Sequence, residues 1–112
     1  MHLDITPEVI ISQLGLGSSD SVMEQTITSI NNTKDFDKFS KHIISLNDNL
    51  KHMHAYIALS NSESYFKIKC ENTDSDEIIK EFNDEIAHWS NKYDVNLRKI
   101  DNKEVYYIIG KN

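Results

Sequence analysis

The sequence predicts an α+β fold in which a helical first half is followed by a β-α-β-β unit with a three-stranded sheet. Apolar residues recur every three or four positions over residues 1–60, and the alternation typical of strands appears only in the second half. A chain of 112 residues has the usual size of one domain, and no linker rich in Pro, Gly or Ser divides it. We therefore treat residues 1–112 as a single domain, with the helical half over 1–60 and the β-α-β-β half over 61–112.

Two short helices are expected first. Thr6, which precedes a proline, is a good N-cap, and Gly15 fits the C′ position that ends the first helix. A second helix starts soon afterwards, with Ser19 and Ser21 as equally plausible N-caps. We expect this helix to end near residues 31–32.

A heptad pattern marks the third helix. Seven apolar residues between positions 36 and 57 are spaced alternately three and four apart, as at the a and d positions of a coiled coil. The pattern predicts one amphipathic helix from about Lys34 to Leu59, about 40 Å long at 1.5 Å per residue. The alternative is that its far end, Ala55 to Leu59, is a strand. The residues of this seam that we assign to an interaction are Phe39, Ile43, Leu46, Leu50, Met53 and Ile57.

Three strands and a fourth helix make up the second half. The strands are expected at residues 64–71, 95–101 and 104–109, and residues 72–75 offer several caps for the helix between the first two. The last strand is apolar on both faces, so we place it in the centre of the sheet. The other two are half polar and are expected to be parallel edges, joined by a right-handed crossover through the helix. The link 101–103 suits a hairpin.

The fourth helix supplies the predicted core of the second half. Its apolar residues recur on one side, with polar and charged residues opposite. We predict that Phe82, Ile86 and Trp89 pack on Phe66, Ile68 and one face of the last strand.

Charge limits the classes of partner. Asp and Glu outnumber Lys and Arg by 18 to 12, which gives a net charge of −6. Because basic side chains dominate binding to phosphate backbones and to anionic lipid, we expect neither a nucleic-acid ligand nor a membrane. The best case for nucleic acid is one sheet face, which carries Tyr65, Lys67, Lys69, Arg98 and Tyr106 or Tyr107. We expect the helical half to cover that face.

The cellular location follows from what the sequence lacks. Its first residues show neither the basic nor the apolar region of a secretory signal, and no apolar run is long enough to span a bilayer. Cys70 is the only cysteine, so no internal disulfide can form. We therefore expect a cytoplasmic protein.

No motif indicates catalysis, a cofactor or a metal. His52 and His54 would point about 200° apart on a helix and could not chelate an ion. Glu85 and His88 have the spacing found in di-iron sites, but the chain has no second pair of this kind. Cys70 falls on the buried face of its strand, where a cysteine is usually inert. We predict that the protein has no catalytic, cofactor-binding or metal-binding residues.

These observations favour a non-enzymatic protein-interaction or regulatory module. The long helix exceeds what a small sheet can cover, so we expect its seam to mediate a homodimer or to bind another protein. The first two helices could instead cover the seam within the chain. The second hypothesis is a small-molecule-binding domain, with a pocket between sheet and long helix that is lined by Tyr56, Trp89 and Tyr107.

Overall fold

A computed structural model describes residues 6–17, 19–60, 63–71, 75–100 and 103–112. Over these residues the chain forms four α-helices, one short 3-10 turn and four strands. In chain order they are α1 (Pro7–Leu14), α2 (Asp20–Asn32), α3 (Phe36–Leu50), the 3-10 turn (Lys51–Met53), β1 (Ala55–Leu59), β2 (Phe66–Cys70), α4 (Asp76–Tyr93), β3 (Val95–Lys99) and β4 (Val105–Lys111). The predicted caps at 72–74 and most of the predicted hairpin link, 101–102, lie outside the described residues.

Side-chain caps start three of the helices where the sequence indicates. The Thr6 hydroxyl accepts a hydrogen bond from the third residue after it, at 3.3 Å, and Gly15 ends α1 in the left-handed conformation at φ 67°. Ser19, rather than Ser21, caps α2 in the same way, and Ser75 caps α4. Each cap satisfies a backbone N–H that the first helical turn leaves unpaired.

The single long helix from Lys34 to Leu59 is wrong, and the alternative of a strand at its far end is correct. Helix α3 ends at Leu50, the 3-10 turn follows, and His54 adopts the left-handed conformation at φ 55° before β1 begins. A spacing of four residues fits both the helical repeat of 3.6 and the strand repeat of two. The step of four residues from Met53 to Ile57 therefore keeps the heptad spacing, although the first residue lies in the 3-10 turn and the second in a strand.

The strand order is β1-β2-β4-β3, and every neighbouring pair is antiparallel. Strands β2 and β3 are consequently parallel to each other on either side of β4, as predicted for the first, second and last strands of the second half. The prediction of three strands with β2 at an edge is wrong. Strand β1 pairs with the edge of β2 that faces away from β4, from Ala55 opposite Cys70 to Leu59 opposite Phe66.

Helices α1, α3 and α4 contribute to one buried cluster with one face of the sheet, here called the inner face. The Phe36 ring of α3 stacks on Phe66 of β2 with 5.6 Å between centroids, and Phe82 of α4 lies 5.9 Å from Tyr106 of β4. The predicted packing of the fourth helix is confirmed, since the residues that share this cluster include Phe82, Ile86, Trp89, Phe66, Ile68 and Ile108. The cluster also takes Ile10 and Leu14 from α1, so it joins both halves of the chain.

The seam assigned to an interaction lies in this core. None of its residues is more than 1% exposed; they are Phe39, Ile43, Leu46, Leu50, Met53 and Ile57. Because α3 packs on the sheet and on α4, and the last two residues belong to the turn and to β1, the chain itself covers the seam. The surface that we expected to meet a second copy is therefore not exposed.

The free edge of β1 is bonded at its middle residue by a side chain of α3. The buried Asn47 accepts a hydrogen bond through Oδ1 from the backbone N–H of Ile57, at 2.9 Å. This N–H points away from β2, because the even-numbered neighbours His54 and Ser60 bond to the β2 side. A buried N–H without a partner would be costly, so Asn47 stabilises this edge by bonding the outward donor at the middle of β1.

Candidate functional site

The sheet face opposite the helices is an exposed surface of rings and cations. We call it the outer face, and its residues are Tyr56, Tyr65, Lys67, Lys69, Arg98 and Tyr107. Alternation along β2 turns the two lysines away from the inner face. All of these residues except Tyr107 are at least partly exposed. The expectation that the helical half covers this face is wrong, because α1 and α3 place their apolar residues against the inner face instead.

Three side chains form a row across the middle of the outer face. Strand pairing sets Lys67 of β2 opposite Tyr107 of β4, and Tyr107 opposite Arg98 of β3. Neighbouring strands are about 4.8 Å apart, so the backbones of Lys67 and Arg98 are about 10 Å apart, with the Tyr107 ring between the two side chains. The Arg98 guanidinium carbon is 5.2 Å from the ring centroid, within the range of a cation–π contact.

Tyr107 is the fixed centre of this row. Its side chain is only 7% exposed, and its hydroxyl oxygen accepts a hydrogen bond from the hydroxyl of Ser60 at 3.3 Å. The Tyr65 ring lies beside it, with 6.3 Å between centroids. Since Tyr65, Arg98 and Ser60 already contact this residue, the ring offers little surface on which a nucleic-acid base could stack.

The cations of the outer face have no acidic partner within the chain as far as it is described. No Asp or Glu oxygen of the described residues lies within 4.0 Å of Lys67, Lys69 or Arg98. The Glu71 carboxylate, at the end of β2, accepts a hydrogen bond from the Tyr56 hydroxyl at 2.8 Å. Burial, together with this hydrogen bond and the charge of Glu71, raises the pKa of Tyr56 above its usual value.

Charge is also unevenly distributed along the chain. Residues 92–112, which include β3 and β4, carry five basic and three acidic side chains, whereas the preceding 91 residues carry seven and fifteen. The end of the chain that supplies Arg98 and Tyr107 is therefore net basic, although the protein as a whole is acidic.

The histidines considered for a metal site are dispersed. His52 Nε2 lies 2.9 Å from a Glu81 carboxylate oxygen, and His54 occupies the left-handed turn before β1. His88 and Glu85 line a groove of about 140 Å³ between α3 and α4. Within the described ranges, no group of three His, Cys, Asp or Glu residues is arranged to hold an ion. Cys70 lies buried on the inner face, with its Sγ 3.8 Å from the Met53 carbonyl oxygen.

His42 is the histidine with the most specific environment. Its ring stacks on Tyr93 with 3.8 Å between centroids, and its carbonyl oxygen accepts a hydrogen bond from the Trp89 indole at 3.1 Å. Burial lowers the pKa of His42, and the charges of Lys41, Lys92 and Lys111 lower it further.

The lowered pKa of His42 predicts a loss of stability in weak acid. Just below pH 6.5, the unfolded chain protonates this residue more readily than the folded one, so the free energy of unfolding falls as the pH is lowered through that window. It levels off once His42 is protonated in both states. Urea unfolding at a series of pH values should show this fall in the wild type and a smaller one in His42→Gln. The exposed His52→Gln serves as the control, and parallel curves for wild type and His42→Gln would contradict the assignment.

The pocket predicted between the sheet and the long helix is not formed. Trp89 lies in the core, whereas Tyr56 and Tyr107 belong to the outer face on the other side of the sheet. A cavity of about 570 Å³ lies elsewhere, between α1 and α2. It is lined by Glu8, Ile11, Ser12, Gly15, Gly17, Ser19, Asp20 and Met23.

Comparison with known proteins adds no assignment: no protein-family model, curated protein or solved structure matches the chain. None of the described helices has the length and apolar character needed to cross a membrane.

Proposed function

We propose that this protein is a non-enzymatic interaction module that binds an acidic region of another protein through the outer face. The row formed by Lys67, Tyr107 and Arg98 carries this proposal: two cations without an acidic partner among the described residues flank a fixed ring, in a chain of net charge −6. Tyrosine and arginine are enriched at protein–protein interfaces, and complementary charge favours association with an acidic partner.

A protein partner is favoured over the other occupants of such a surface. A nucleic acid would stack its bases on exposed rings, and the ring between the two cations, Tyr107, is only 7% exposed. A second copy that met this one face to face would bring two sets of unpaired cations together, which is repulsive. The seam residues offer no route to a dimer either, because the chain buries them.

The chemistry of the outer face also supports binding rather than catalysis. Lysine, arginine and tyrosine are its functional groups, and the pKa of Tyr56 is raised by burial, which makes its phenol less acidic than that of an ordinary tyrosine, a group that is already protonated near neutral pH. A protonated phenol is a poor nucleophile and a poor general base. We place this activity in the cytoplasm, a reducing compartment that suits the free thiol of Cys70.

Charge reversal on the outer face tests the proposal. Fluorescence anisotropy of labelled poly-L-glutamate at low salt should show binding by the wild type. The double variant Lys67→Glu/Arg98→Glu should bind at least about tenfold more weakly, because it replaces both attractive charges by repulsive ones. Added salt should weaken wild-type binding, since the charges involved are exposed.

The matched control is Lys38→Glu/Lys80→Glu. It changes the net charge by the same amount at exposed positions on α3 and α4, away from the outer face. We expect this variant to retain most of the wild-type affinity. Equal weakening by both double variants would show a general charge effect and would refute the outer face as the binding surface, as would a wild type that fails to bind.

A further inference from the structure

We infer that the free edge of β3 pairs with an extended acidic segment of the partner, which joins the sheet as a fifth strand. This inference rests on the proposed function and specifies how the partner is held. Addition of a strand to a sheet edge gives affinity through backbone hydrogen bonds, while side chains provide the specificity. Arg98 belongs both to this edge strand and to the outer face, so a strand beside β3 would be continuous with that face.

The backbone of β3 presents unused groups on its free side. The N–H of Ile100 bonds to the Val105 carbonyl oxygen of β4 at 3.0 Å. Since alternate residues of a strand bond to the same neighbour, Leu97 and Lys99 direct their N–H and C=O groups away from β4. No hydrogen bond to the N–H of either residue is found in the part of the chain that the structure describes.

The two edges of the sheet therefore differ. At the β1 edge, Asn47 occupies the outward N–H of Ile57, and both residues are buried. At the β3 edge, within the described residues, the contact with a helix side chain lies at the first residue instead, where the Ser90 hydroxyl donates to the Val95 carbonyl oxygen at 2.7 Å. The exposed residues Asn96, Arg98 and Lys99 follow. The available edge is thus the second part of β3.

The charges of β3 determine which strand can pair with it. Arg98 and Lys99 point to opposite faces, so a neighbouring strand would meet a cation on each face. Lys99 has one weak ion pair, with Nζ 3.9 Å from a Glu104 oxygen, and 48% of its side chain is exposed. Basic residues on an edge strand usually prevent pairing with a second copy, because like charges would lie side by side. An acidic strand reverses the sign of this interaction and is the occupant that fits.

Two substitutions at Lys99 separate the backbone contribution from the charge. Lys99→Gln removes the cation and keeps the N–H, whereas Lys99→Pro also removes the N–H. Proline is tolerated on an edge strand where the lost N–H faces solvent, so the ladder with β4 should persist. The probe is a short labelled peptide of alternating Glu and Val, measured by fluorescence anisotropy. We expect Lys99→Pro to bind it about tenfold more weakly than Lys99→Gln does.

A second measurement uses the wild type alone, in case Lys99→Pro fails to fold. Two peptides of the same sequence and charge carry N-methyl groups on alternate residues, one along each edge of the strand. One of the two should lose most of its affinity, because only one edge faces β3.

The outcomes distinguish the two proposals. Equal binding by both Lys99 variants and by both methylated peptides would overturn strand pairing, but would leave the proposed function intact if Lys67→Glu/Arg98→Glu still weakens binding of poly-L-glutamate about tenfold or more. If wild type binds neither acidic probe, both proposals fail. Tighter binding of a single-stranded thymidine oligonucleotide than of either acidic probe would also overturn both in favour of a nucleic-acid ligand.

Discussion

Replacing Leu50 by Asp is expected to leave the chain unfolded at room temperature. Leu50 has no exposed surface and lies at the end of α3, in the cluster formed by helices and sheet. The substitution loses the packing of a leucine, which costs about 2–5 kcal/mol, and buries an unpaired carboxylate in addition. Together these terms are comparable to the whole stability of a typical domain, about 5–15 kcal/mol. Far-UV circular dichroism and thermal melting would measure the loss.

Asn49→Asp is the matched control, because it introduces the same charge at the neighbouring, exposed position. We expect it to melt close to the wild type. Sedimentation then separates a buried seam from an interface between chains. The six seam residues are covered within the chain, so Leu50→Asp should unfold without first forming a folded species of lower mass. A Leu50→Asp variant that is folded and monomeric, beside a wild type that associates with rising concentration, would contradict the structure at this point.

Local signals in the sequence predicted much of the fold. Thr6, Ser19 and Ser75 mark helix starts because a side-chain oxygen at the N-cap satisfies a backbone N–H, whatever surrounds the helix. The position of β4 between β2 and β3 was predicted from its apolar composition, because side chains on a central strand are shielded by neighbouring strands on both sides, whereas those on an edge strand are shielded on one side only. These features depend on short stretches of chain and could therefore be predicted from the sequence.

The errors concern features in which local pattern and tertiary environment conflict. The segment from Ala55 to Leu59 could bury its apolar residues either as a helix or as a strand, and only the pairing with β2 decides between the two conformations. Once this segment joins the sheet, α3 is short enough for the rest of the chain to cover it. One misassigned segment thus produced the missing fourth strand, the excess helix length and the predicted exposed seam.

The residues of the candidate site were visible in the sequence, but their exposure was not. Alternation already grouped Tyr65, Lys67 and Lys69 on one face, and Arg98 with either Tyr106 or Tyr107 was named beside them; the strand pairing selects Tyr107. Which side of a sheet receives the helices depends on the path of the connections, and this is not encoded in the pattern of any one strand. Tyr56 could not be added to the group, because its strand was taken as helix.

Truncation of Phe82 to Ala tests the core on which the exposed face depends. Phe82 has no exposed surface, and its ring lies 5.9 Å from Tyr106, the residue just before Tyr107 on β4. Removing a buried phenylalanine ring costs about 3–5 kcal/mol, from lost transfer free energy and from the cavity that remains. Urea unfolding should therefore show a much lower midpoint with an unchanged slope.

Lys80→Ala on the exposed side of the same helix is the control, and we expect its midpoint to change little. A loss below about 1 kcal/mol in Phe82→Ala would show that α4 does not pack on the sheet as described. The result also bears on the proposed function. Helix α4 and β4 are further joined by Asn83, which accepts a hydrogen bond from the Tyr106 hydroxyl of β4 and donates to a carboxylate oxygen of Glu104, the residue before β4. If Phe82 packs as described, Lys67 and Arg98 lie on the sheet face away from this core, so a Lys67→Glu/Arg98→Glu variant that remains folded and loses binding loses it at the outer face.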